Sequence, residues 1–123
     1  MRIFMNETFA RFARQERIAS AVLVEAVERA DRGLIDADLG GGVIKQRIAR
    51  TGRGRSGGYR TIVLLRFGSR AIFAYGFAKK DRANIDRAEL KALKDIARKL
   101  LAYDEREIER AVSHGTLIEV RDE

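Results

Sequence analysis

The sequence predicts an α+β fold: N-terminal helices, then an antiparallel sheet of three to four strands, then C-terminal helices. Three observations carry this. Apolar residues recur at helical spacing near both ends, the pattern turns strand-like between Val43 and Ala78, and two Asp-x-x-Glu boxes follow that run. At 123 residues with 46% hydrophobic composition, the chain is expected to form one domain over residues 1–123, large enough to bury a core without cross-links.

Taken in order, Arg2 to Met5 suits a short strand. A helix is expected from about Glu7 to Gln15, with Phe9 and Phe12 on one side. Ser20 is placed to cap a second helix, in which Val22, Leu23, Ala26, Val27 and Ala30 form the apolar stripe and Glu25, Glu28, Arg29 and Arg32 the polar side. Gly33 stands where a helix ends. Leu34 to Gly42, closing on three glycines, reads as a loop.

The period then changes to two. Val43 to Ala49 alternates, putting Lys45 and Arg47 on one face and Ile44 and Ile48 on the other. Thr51 to Gly58 is a basic, glycine-rich connection. Arg60 to Phe67 is an almost unbroken β-forming run, Gly68-Ser69 a tight turn, and Arg70 to Ala78 the returning strand. Asp86 with Glu89 opens a helix buried through Leu90, Leu93, Ile96, Ala97 and Leu100. Asp104 with Glu107 opens another, with Ile108, Ala111 and Val112 inward. His114-Gly115 closes it, and Thr116 to Val120 adds a short last strand.

Charge is the functional signal. The chain carries a formal +7, yet Val43 to Arg82 holds eleven Lys/Arg against one acid, Asp81. Cations on a strand (Lys45, Arg47), on a glycine-rich connection (Arg50, Arg53, Arg55) and at the next strand's start (Arg60) converge. Lys79, Lys80 and Arg82 leave the returning strand at the end expected to lie beside Arg60. Such a cluster repels itself until an anion occupies it, and phosphate suits arginine forks and lysine point charges. The partner class is therefore polyanionic, nucleic acid before a membrane surface. The glycine-rich run is not a P-loop, since it lacks the Gly-Lys-Ser/Thr ending and leads into a strand. With no cysteine and one histidine, the sequence offers neither a thiolate nucleophile nor a zinc-binding His pair, and no cofactor is expected. No apolar run approaches the length of a membrane span, so a cytoplasmic protein is expected.

The residues Gly57-Gly58-Tyr59-Arg60 before an apolar strand, then Tyr75-Gly-Phe-Ala-Lys79-Lys80-Asp81-Arg82 before a helix, resemble the RelE/HigB toxins of bacterial type II toxin–antitoxin modules. The resemblance covers most of the chain and rests on the order of its parts. It implies an endoribonuclease that cuts mRNA in the A site of the 70S ribosome without a metal. It also implies a small cognate antitoxin, often a DNA-binding helix-turn-helix protein. By the same resemblance Arg60 stabilises the phosphate in the transition state, and Lys79 and Lys80 are the basic pair that contacts it. Lys45, Arg47 and Arg50 lie where the family carries basic residues on the preceding strand, one of them serving as base or as a ribosomal-RNA contact. Arg53, Arg55 and Arg82 extend the RNA-binding surface, with Tyr59 and Tyr75 as candidate base-stacking rings. RelE itself has a tyrosine shortly after the basic pair, where Asn84-Ile85-Asp86 stand here. Two other readings remain: a non-catalytic nucleic-acid-binding module, and a ParE-like gyrase inhibitor, against which the basic residues count.

Overall fold

The computed structural model describes residues 1–50, 54–78 and 84–121, the side chains of 50 and 54–57 excepted. In chain order the elements are β1 (Arg2–Asn6), α1 (Glu7–Gln15), α2 (Ser20–Asp31), β2 (Ala37–Gly40), β3 (Val43–Arg50), β4 (Gly54–Arg66), β5 (Arg70–Ala78), α3 (Arg87–Leu101), α4 (Glu105–Ser113) and β6 (Leu117–Val120). The strands form one six-stranded sheet in the order β2-β3-β4-β5-β1-β6. The expected meander of β3, β4 and β5 is its centre, paired antiparallel.

Strand alternation divides the interior into two layers. Ile44, Ile48, Tyr59, Val63, Leu65 and Phe73 face one side of the sheet, where Phe9, Leu23, Ala26 and Val27 of α1 and α2 cover them. Val43, Ile62, Leu64 and Ile72 face the other side and meet α3 and α4 through Leu90, Leu93, Ala97 and Ile108. Phe4, Phe9, Phe73 and Ile62 are wholly buried. Each such side chain contributes about 1.5–3 kcal/mol by leaving water.

The helix ends follow from their side chains. Both acidic boxes form as expected: Asp86 accepts from the Glu89 N–H at 2.7 Å, and Asp104 from that of Glu107 at 2.8 Å. Helix α1 starts at the expected Glu7, while the start of α2 differs from expectation. Asn6 caps α1, its side chain accepting from the Phe9 N–H at 2.8 Å. Ser20 is the first residue of α2, whose cap position belongs to Ala19 and has no side-chain hydrogen bond.

The sheet is wider than the three to four strands expected. The stretch read as a loop contains β2, which turns into β3 through Gly40, Gly41 and Gly42, all at positive φ (86°, 62° and 82°). Three successive left-handed positions suit glycine and little else. A side chain at Gly42 would also meet Leu101 Cδ1 at 2.8 Å. β4 starts at Gly54, inside the stretch read as a connection, pairing there with Arg50. β1 lies parallel to β5, and β6 pairs antiparallel with β1.

Two cations from the basic third serve the fold. Arg70 is buried and donates to the carbonyls of Leu100 (3.1 Å) and Tyr103 (2.9 Å), while Arg66 donates to that of Leu101 at 3.3 Å. They neutralise the carbonyl end of α3. Burial lowers the pKa of Arg70 from its ordinary value. At the sheet's far edge Arg2 forks onto Glu119 with two contacts of 2.9 Å and also reaches Glu105 and Glu109, tying β1 to β6 and α4. Its pKa is raised, chiefly by the Glu119 hydrogen bond, which in turn lowers that of Glu119.

Candidate nucleic-acid interface

The α3 side of the sheet carries two cross-strand rows. In one, Arg47 of β3, Arg60 of β4 and Phe77 of β5 stand opposite one another. In the next, Lys45, Ile62 and Tyr75 do. Directly opposed residues of an antiparallel pair share a face. The register therefore brings Lys45, Arg47, Arg60 and Tyr75 to one surface, and the expected sharing of a face by Lys45 and Arg47 holds.

Arg60 is the unusual member. It is 6% exposed, and its Nη1 is buried with no hydrogen-bond partner among the described residues. A buried, unsatisfied guanidinium nitrogen costs stability and signals an absent partner or a function. Arg47 opposite is exposed, but its backbone is held at both groups. Its N–H donates to Asp36 Oδ2 at 2.7 Å, and its carbonyl accepts from Arg29 Nη2 at 2.8 Å. Arg29, expected on the polar side of α2, is instead buried because it also grips Glu25 at 2.8 Å. Lys45 is half-buried, with Nζ 3.4 Å from Asn84 Oδ1 just before α3. Tyr75, half-buried, sits 5.9 Å from the Phe77 ring with the planes at 46°. Two arginines face each other across β3 and β4, with an aromatic pair alongside. That arrangement attracts an anion attached to a flat, stackable group.

Tyr59 does not join them. It follows the opposite parity on β4, is 4% exposed, packs edge-on against Phe12 with centroids at 5.3 Å, and donates its hydroxyl to Glu16 Oε1 at 2.7 Å. A cavity of about 480 Å³ lies on that other face, lined by Glu16, Arg17, Ile18, Ala19 and Tyr59 among others. Arg50 pairs through its backbone with Gly54, and Arg55 lies on β4; their side chains are outside the described residues. Arg53, Lys79, Lys80 and Arg82, with the expected approach of Lys79 to Arg60, lie wholly outside them.

A family model for the RelE toxin of the RelE/RelB toxin–antitoxin system matches residues 1–120. The chain belongs to the RelE toxin family. Membership brings a cognate antitoxin as partner. Comparison with curated individual proteins finds no match. No helix among the described residues is long and apolar enough to cross a membrane.

Three residues that bear on the face escaped sequence reasoning. Asn84 meets Lys45 from 39 positions away, and Arg29 reaches Arg47 from 18. No local pattern encodes either contact. Phe77 was legible as a strand residue, but its place beside Arg60 depends on the β4–β5 register.

Proposed function

We propose that this RelE-family toxin is a ribosome-dependent mRNA endoribonuclease, acting as one domain over residues 1–123 in the cytoplasm and held inactive by its cognate antitoxin. Arg60 carries the reading: its buried Nη1, without a hydrogen-bond partner among the described residues, stands opposite Arg47, where a phosphate would satisfy both. In the reaction the ribose 2′-oxygen attacks the adjacent phosphorus, a P–O2′ bond forms and the P–O5′ bond breaks. A 2′,3′-cyclic phosphate and a 5′-hydroxyl result. The 2′-OH proton passes to a base, and the leaving 5′-oxygen receives a proton.

Arg60 supplies charge at the phosphorane, where a fixed donor is worth most. Arg47 holds a non-bridging or neighbouring phosphate oxygen. Lys45 and the basic pair Lys79 and Lys80 are the candidates for proton transfer and further charge stabilisation. Arg50, Arg53, Arg55 and Arg82 serve the ribosomal-RNA surface. Tyr75 stacks a base of the message, a role its half-exposed ring supports. Tyr59 is assigned no contact with RNA, because its hydroxyl and ring belong to the opposite layer.

The test is induced expression in a growing bacterium with mapping of mRNA 5′ ends. Growth arrest with cuts inside translated codons, both lost in Arg60→Ala, is the expected result. Arrest without cuts would transfer the case to a protein target such as gyrase. Salt-dependent RNA binding without cleavage on ribosomes would leave a non-catalytic binding module.

A further inference from the structure

Helix α3 carries a second basic feature, separate from the face just described. Its cations at positions 87, 91, 94 and 98 follow helical spacing: with 3.6 residues per turn they fall within a sector of about 60° and extend along roughly 16 Å of the axis. Arg87 and Lys91 are exposed, with no ion-pair partner among the described residues. Arg98 is paired with Asp95 at the sector's border, an exposed contact of small worth.

The flank has a defined position. The stem of Lys94 lies over the turn before β3, within 3.2 Å of where a Cβ on Gly41 would stand. At the other end Asn84 touches Lys45. Helix α3 therefore runs antiparallel to β3, and its basic flank continues from the Lys45 end of the candidate site toward the β2–β3 turn.

We infer that this flank of α3 is a docking track for the phosphate backbone of double-helical RNA. Resting on the ribosomal reading above, it would hold folded ribosomal RNA while the sheet face takes the message. Composition favours nucleic acid over protein. A protein-binding face centres on apolar or aromatic anchors, whereas this sector contains four cations and no apolar residue. The exposed Ile96 lies on a different side of the helix. A track of point charges along one line positions a polyphosphate without reading its bases.

The experiment measures binding of the full chain to vacant 70S ribosomes and to a fully paired RNA hairpin over a range of salt. It compares the parent, Arg87→Gln with Lys91→Gln, and a control of equal charge loss, Lys99→Gln with Arg110→Gln. Glutamine keeps helix propensity, and circular dichroism checks the fold. The expected result is a salt slope shallower by roughly 1 per cation removed in the first variant alone, on both probes, with cleavage retained at saturating protein. A first variant binding like the parent would overturn the inference while leaving the ribosomal reading intact. So would unchanged RNA binding with lost neutralisation by the antitoxin, which would assign the flank to an acidic protein. A parent that neither binds nor cleaves on ribosomes would overturn the reading itself, and the inference with it.

Discussion

Replacing Arg60 by methionine should make the protein more stable and less active. The change keeps a long unbranched side chain in a site that is 6% exposed and removes a guanidinium whose Nη1 is buried without a hydrogen bond among the described residues. Leaving such a group unsatisfied costs about 1–3 kcal/mol. Facing Arg47 directly across β3 and β4 adds a few tenths more of like-charge repulsion, about 0.2–1 kcal/mol. The expected gain for Arg60→Met is therefore about 1–4 kcal/mol, or a rise in Tm of roughly 4–15 °C for a domain of this size. Equilibrium urea unfolding reads it as a higher midpoint at unchanged slope. Arg47→Met, at an exposed position with no buried unsatisfied group to remove, should gain only the relieved repulsion, about 0.2–1 kcal/mol. Cleavage by Arg60→Met should fall by about 10²-fold or more, the usual cost of losing one fixed donor to a transition state. A lower unfolding midpoint for Arg60→Met would refute the reasoning, since it would mean that the guanidinium holds the fold together.

Other substitutions test the placement of individual residues. Tyr59→Phe should cost about 0.5–1.5 kcal/mol by deleting the 2.7 Å bond to Glu16 while leaving cleavage at the parental rate, measured by unfolding and by ribosome assay on the same preparation. Gly76→Ala should destabilise by about 1–3 kcal/mol, because its Cβ would fall 2.6 Å from two Phe12 ring atoms that Phe9 and Tyr59 hold in place; a neutral thermal melt would show that the ring moves freely. Arg2 holds the Glu119 carboxyl below its ordinary pKa. The stability this confers is present above the unfolded-state carboxylate pKa and is lost as pH falls through the lower folded value. Glu119→Gln should therefore flatten the acid side of the stability profile, and an unchanged acid limb would show that the Arg2 fork does not contribute.

The parts of the fold encoded locally could be read from the sequence. Both capping boxes, the period-two run of β3 and the β4–β5 hairpin each have a signal within a few residues. β2 has none: Ala37-Asp38-Leu39-Gly40 is too short to show a period, and becomes a strand because three glycines fold it back onto β3. The parallel pairing of β1 with β5 joins residues 68 apart, as at Arg2 and Arg70, so no window contains it. The candidate site divides the same way. Alternation sufficed to place Lys45 and Arg47 together. It also separates Tyr59 from Arg60, since neighbours on a strand point to opposite faces, so the grouping of both in one interface was correctable from the sequence itself. The burial of Arg60 was not legible, because it depends on the register of three strands.

Single-turnover cleavage of mRNA in the A site of purified 70S ribosomes tests the central claim most directly, with wild type, Arg60→Ala, and a message carrying a 2′-deoxynucleotide at the scissile position. The account predicts a 2′,3′-cyclic phosphate product from wild type, loss of about 10²-fold or more in rate with Arg60→Ala, and no cut in the deoxy message. Cleavage of the deoxy message, or a wild-type rate from Arg60→Ala, would contradict it.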